Sequence, residues 1–254
     1  MILAFDIGNT VITIGGFSGE NPDFVARLAT DPSLTPDEYA LRLRGVLQLR
    51  GVEPETVTGA ILGSVVPPLS AVLRAAVALA CGVTPLQVGP GVKTGLPIRC
   101  DDPASVGADL ICAAAAVQQQ FGGPAIIADL GTATNLILLD KTGAFAGGAI
   151  IPGAALALEA LAAGTAQLPR VALEAPRSVI GKNTVDCMRS GAVFGHAALL
   201  DGMIARFRSE IGGETPVYAT GALADAILPH CATPVTHIPD LVLRGLYRIY
   251  RKNA

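Results

Sequence analysis

Tryptophan is absent, and aromatic residues make up only 4% of the 254-residue chain. That excludes the broad base-stacking surfaces that hold single-stranded nucleic acid. Histidines number only three, with no H-x-x-x-H spacing, which argues against a zinc enzyme. The five cysteines (Cys81, Cys100, Cys112, Cys187, Cys231) are scattered, odd in number and without a C-x-x-C pair. They read as buried thiols, not as a disulfide frame or a metal site. The formal net charge is −3 and no Lys/Arg-rich run occurs, so neither nucleic acid nor an anionic membrane is expected as the main partner. No apolar run reaches membrane length; the best, Ile111 to Val117, is short and ends in Gln118-Gln119-Gln120. Met1 opens into a strand-like run, with no basic segment ahead of a signal-like apolar core. The expectation is a soluble cytoplasmic protein. There is no G-x-x-x-x-G-K-[ST] phosphate loop, and no G-x-G-x-x-G follows the first strand.

What the chain has instead is one phrase used twice. It reads Met1-Ile-Leu-Ala-Phe-Asp6-Ile-Gly8-Asn9-Thr10 near the start and Ala125-Ile-Ile-Ala-Asp129-Leu-Gly131-Thr132-Ala-Thr134 in the middle. Each has an apolar strand, an acid, a glycine and hydroxyls, then a second β-rich run. The repetition suggests two similar halves facing one cleft.

The surrounding pattern supports two halves. Strand signals cover 1–5, 11–17 and 24–28, with Gly8-Asn9-Thr10 as the hairpin turn between the first two. Thr35-Pro36-Asp37-Glu38 supplies an N-cap, a first-turn proline and a capping-box glutamate for a helix ending at Gly51. A strand over 58–66, a helix over 69–80 closed by Gly82 and a short strand at 86–88 follow. Asp102-Pro103 opens a helix expected to run to about Gln120. Phe121-Gly122-Gly123-Pro124 reads as a hinge, and then the pattern restarts. Strands are expected at 125–128, 135–139, 144–150 and 217–219. Helices are expected at about 153–163, 184–211, 223–228 and 240–250. The predicted class is α/β, with two domains of one type (1–121 and 122–254) built on mixed sheets.

Phosphoryl transfer needs positioning and charge stabilisation more than covalent help. Strand-end glycines let backbone N–H groups approach phosphate oxygens, and Asn and Thr add donors. Asp6 and Asp129 are suited to a cation that offsets phosphate charge, although Asp-x-Gly is also an ordinary turn sequence. In Gly107-Ala108-Asp109, an acid early in a helix is favoured in its ionised form by the macrodipole. It can orient an alcohol and accept its proton, but from spacing alone a helix-stabilising Asp is the plainer reading. Asn183 and Thr184 open the longest helix as cap and first residue, or as a polar ligand site.

Taken in order, the segments resemble the type III pantothenate kinases of the acetate-and-sugar-kinase, Hsp70 and actin superfamily. Those segments are Asp6-Ile-Gly-Asn-Thr10, Ser64-Val-Val-Pro-Pro-Leu69, Gly89-Pro-Gly-Val-Lys-Thr-Gly-Leu96, Gly107-Ala-Asp109, Asp129-Leu-Gly-Thr-Ala-Thr134, Gly147-Gly-Ala-Ile-Ile-Pro-Gly153, Leu168-Pro169, Ser178-Val-Ile-Gly-Lys-Asn-Thr184 and Ala219-Thr-Gly221. The resemblance implies two ribonuclease-H-like, actin-like domains, and ATP-dependent phosphorylation of pantothenate at the start of coenzyme A synthesis. It implies an ATP cradle of Asp6, Ile7, Gly8, Asn9, Thr10, Val11, Ile12 and Thr13, with Thr132 on the phosphates. Asp109 would be the proton acceptor. Cys100, Gly107, Ala108, Asp109 and Leu110 would line the pantothenate site. Asp129 would bind a monovalent cation, K+ or another such as NH4+, alongside Mg2+. A homodimer is implied, with the substrate site at the interface and Thr184 reaching it from the partner subunit.

The chain departs from the family pattern at three of these positions. Val11 stands for a second Asn, Cys100 for a Tyr, and Leu110 for an Arg. The last removes a positive group beside the proposed base, and such groups contribute several kcal/mol to phosphoryl transfer. An active pantothenate kinase, a kinase for another small alcohol and a catalytically silent nucleotide-binding paralogue are the three readings this leaves.

Overall fold

The computed structural model describes Met1–Ala254. The chain divides into two units, one of Met1–Pro97, Asp101–Gln120 and Asp240–Ala254, the other of Ile98–Cys100 and Phe121–Pro239.

In the first unit β1 (Ile2–Ile7), β2 (Val11–Phe17) and β3 (Pro22–Ala29) form an antiparallel meander. β4 (Gly59–Ser64) and β5 (Leu86–Gln87) join in parallel, giving the order β3-β2-β1-β4-β5. Alternation along β1 sends Leu3, Phe5 and Ile7 to one face. There α1 (Pro36–Leu49) buries them with Tyr39, Leu43 and Leu47, and α2 (Pro67–Cys81) with Leu69, Leu73 and Val77. Each large side chain so buried contributes about 1.5–3 kcal/mol. The capping box forms as the sequence predicts, with Glu38 accepting from the Thr35 N–H at 2.8 Å.

The predicted helix start at Asp102-Pro103 is not observed. Asp102 Oδ1 accepts from the Ala104 N–H at 3.2 Å, closing a single 3-10 turn at Pro103–Ser105. Val106 is then extended, and α3 (Ala108–Phe121) begins only after Gly107. Asp109 therefore stands in the first turn of α3.

The second unit repeats the plan. β6 (Ala125–Leu130), β7 (Ala133–Leu139) and β8 (Phe145–Pro152) are antiparallel. β9 (Val217–Thr220) and β10 (Thr236–His237) add in parallel, in the order β10-β9-β6-β7-β8. β10, at two residues, is too short to carry an alternation signal in the sequence. α4 (Ala154–Ala163), α5 (Thr184–Ile211) and α6 (Ala224–Ile227) share a core with this sheet. Val193, Ala197, Leu200 and Ile204 of α5 pack with Ile126, Ala128 and Leu130 of β6.

α7 (Leu241–Asn253) clusters with the first unit although it follows the second in sequence. The β1 sheet offers it small residues on the face away from α1 and α2: Gly15 meets Leu243, Gly63 meets Leu246 and Gly59 meets Tyr250. Tyr247 stacks on Phe17 with ring centroids 4.7 Å apart. No helix is long and apolar enough to cross a membrane.

Candidate active site

The two repeated phrases occupy equivalent places. Asp6 and Asp129 are each the penultimate residue of a central strand. Asp6 is paired with Thr13 of β2 and Gly63 of β4; Asp129 is paired with Asn135 of β7 and Thr220 of β9. In both sheets the acid points to the face opposite the core helices, because its neighbours Ile7 and Leu130 point into the core.

The first turn is closed by the Gly8 N–H donating to Val11 O at 3.1 Å. Thr30, just past β3, braces it: its hydroxyl donates to Gly8 O at 2.7 Å and its N–H to Thr10 O at 3.0 Å. Asn9, Thr10 and Val11 are exposed, whereas Ile7 and Ile12 are fully buried. Within residues 6–13, Ile7 and Ile12 thus have only backbone to offer a ligand.

The second turn is tighter. The Gly131 N–H donates to Ala133 O at 2.9 Å, and the Gly153 N–H after β8 donates to Thr132 O at 3.0 Å. A Cβ at Gly153 would lie 2.5 Å from Thr132 O, so this brace requires glycine. Gly221, at φ 102°, closes the other side. A Cβ there would lie 2.5 Å from Leu130 N and 2.6 Å from Asp129 Oδ1. Thr132 itself is exposed at the turn.

Asp109 is the most unusual acid of the first unit. Its Oδ1 is buried and has no hydrogen-bond partner. Burial pushes the carboxyl above its ordinary value, partly offset by the N–H groups of Leu110 and Asp109. The carboxylate folds back over Gly107, where any Cβ would collide with Oδ1. Gly107, Ala108 and Leu110 are all half-buried around it. Cys112, one turn further on α3, is fully buried; its thiol is pushed up by desolvation, then by the charges of Asp6 and Asp109. Both acids therefore lie near one thiol.

The other expected residues lie in the second unit. Cys100 is half-buried beside Arg99, whose guanidinium is held by Asp140 at 3.2 Å. Thr184 is exposed as the first residue of α5. Asn183 caps that helix, its Oδ1 accepting from the Asp186 N–H at 2.9 Å.

One polar pair was not found in the sequence. Thr134, fully buried, lies 2.8 Å from Nε2 of His196 on α5. The equivalent position in the first sheet is Ile12, since Thr134 pairs with Leu130 as Ile12 pairs with Ile7. Burial holds the His196 pKa below its ordinary value, so the ring is neutral at neutral pH. A lone His carries no sequence signal for such a bond.

No group of three or more His, Cys, Asp or Glu side chains converges as a metal cage. Single carboxylates at strand ends suit a cation whose remaining ligands are phosphate oxygens and water.

A profile of the type III pantothenate kinase family matches residues 2–206. The chain is 44% identical to a type III pantothenate kinase of Moorella thermoacetica, covering 100% of both chains. It is 45% identical to one of Nocardia farcinica, covering 100% of this chain and 98% of that one. Among solved structures, the (R)-2-hydroxyglutaryl-CoA dehydratase component A of Acidaminococcus fermentans superposes with a TM-score of 0.56 at 13% identity, covering 100% of this chain and 99% of that one. At that identity the likeness is one of fold alone, shared along the full length of both chains.

Proposed function

The chain belongs to the type III pantothenate kinases, and from that premise we propose that Asp109 is the base of its reaction. The reaction is ATP-dependent phosphorylation of pantothenate, in coenzyme A biosynthesis. The observation that supports Asp109 is its buried Oδ1 with an unfilled acceptor position. Desolvation raises its proton affinity, which makes it a better acceptor for an alcohol proton. As the primary hydroxyl of pantothenate attacks the γ-phosphorus, the bond to the β-phosphate oxygen breaks and ADP leaves. The hydroxyl proton passes to Asp109 Oδ1.

Residues 6–13 take the role of ATP cradle, with Ile7 and Ile12 acting through backbone groups alone, and Thr132 contacts the phosphates. Gly107, Ala108 and Leu110, together with Cys100, serve pantothenate. Asp129 is assigned to K+ or another monovalent cation such as NH4+, and Mg2+ to the phosphate oxygens. These cations offset triphosphate charge when bound. The protein acts in the cytoplasm as a homodimer, Thr184 of one subunit serving pantothenate bound by the other. Exposed apolar side chains support pairing: Ile150, Leu156, Leu161, Val179 and Ile180 all lie in one stretch of the second unit.

The test is pantothenate-dependent ADP release with Mg2+ and K+. Asp109→Asn is expected to lower kcat by about 10²–10⁴, the usual contribution of a general base. An unchanged kcat removes Asp109 from the role. Replacing K+ with a bulky organic cation such as tetramethylammonium, with no other small monovalent cation present, is expected to slow the wild type, and equal rates would remove the cation role of Asp129.

A further inference from the structure

Asp6 and Asp109 come from distant parts of the sequence, yet one helix touches the support of both. Gly245 of α7 rests on the backbone of Cys112, one turn beyond Asp109. A Cβ at Gly245 would lie 2.5 Å from the carbonyl carbon of Cys112, 3.0 Å from its Cα and closer still to its oxygen. This is backbone against backbone, so no side-chain rotation relieves it. The next residue, Leu246, lies over Gly63, where a Cβ would come within 3.1 Å of Cδ2. Gly63 is the β4 partner of Asp6. Further along, Arg248 donates to Ala116 O at 2.8 Å and to Gln120 Oε1 at 3.2 Å, fastening the rest of α3 to α7. Adjacent residues of α7 thus bear on the helix that carries Asp109 and on the strand beside Asp6. The Cys112 thiol feels the charge of both acids.

We infer that Gly245 is a positioning residue for phosphoryl transfer: by letting α7 close onto Cys112, it sets the place of Asp109 relative to the end of β1, which bears Asp6. This rests on Asp109 being the base. A side chain at 245 pushes the first turn of α3 outward, whereas the ATP turn stays fixed by its own strands and by Thr30. The damage therefore falls on the chemical step. A shift of about 1 Å from a remote change can cost on the order of a hundredfold in rate.

Steady-state kinetics on purified variants provide the test, with circular dichroism to establish folding. Gly245→Ala is expected to lower kcat about tenfold or more and to leave KM for ATP nearly unchanged. Asp109→Glu, harmful alone, is expected to restore part of the loss in the Gly245→Ala background, because its longer side chain spans the widened gap. A general weakening of the fold would give no such rescue. Arg248→Met, which keeps the stem and removes the donors, is expected to show the same pattern more weakly and serves if Gly245→Ala does not fold. A folded Gly245→Ala with unchanged kcat overturns the inference. So does a double variant whose losses simply multiply. Asp109→Asn separates the two ideas: if it abolishes turnover while Gly245→Ala is neutral, only the positioning role fails, and if it is itself neutral, the base assignment fails.

Discussion

A carboxylate oxygen buried without a hydrogen-bond partner, as Oδ1 of Asp109 is, is costly to the native state. Its native pKa lies above its ordinary value, so the native state binds this proton more tightly than the unfolded chain does. At neutral pH, ionised Asp109 subtracts from stability, and the penalty disappears as pH falls through the raised native pKa. Asp109→Asn is therefore expected to melt higher than the wild type at about pH 8, with the gain shrinking as the solution is acidified. Equal melting temperatures across that range would contradict the desolvated state of this carboxyl. The sequence showed an acid near a helix start and nothing more, because desolvation depends on neighbours brought in by the fold. The glycines beside the acids were visible as motif letters. Their reason, the close approach of Gly221 to Asp129 and of Gly153 to Thr132, was not.

Among the elements, those with local signals were legible and those settled by competition were not. α1 starts at the capping box of Thr35 and Glu38, and α2 ends at Gly82 in the left-handed conformation at φ 72°. α3 starts later than the Asp102-Pro103 signal indicates because the Asp102 side chain captures the nearer Ala104 N–H and Val106 is extended. The bond between Thr134 and His196 ties β7 to α5 beneath the second turn. It works with a neutral imidazole, whose native pKa is depressed by burial. The unfolded chain binds a proton at about 6.5. This contribution is therefore complete above that pH and is lost as pH falls from there through the native value. The melting advantage of wild type over His196→Gln is expected to shrink between about pH 7 and pH 5. A pH-independent difference would show that His196 does not titrate on unfolding.

For the whole molecule, the doubled phrase foretold two like sheets, because equivalent turns leave equivalent residues at matching strand ends. Their topologies agree strand for strand. The return of α7 to the first sheet was hidden, since Gly15, Gly59 and Gly63 read as weak strand residues until a helix is seen to lie on them. The exposed Val179 and Ile180, at 64% and 78%, precede the helix that begins with Thr184. Ile180→Asp is expected to convert a dimer to single chains in light scattering and to lower activity with it. A wild type of one-chain mass would defeat the dimer. The discontinuous first unit also bears on synthesis. Its sheet and α3 leave the ribosome early, but the residues that complete its second face come last. At roughly 5–20 residues per second, the interval between the end of α3 and the start of α7 lasts about 6–24 s. Throughout that interval the nascent chain exposes Phe17 and the bare glycine face of the sheet, so a chaperone has a defined window in which to act. A chain released early would lack α7 and leave that face of the sheet uncovered.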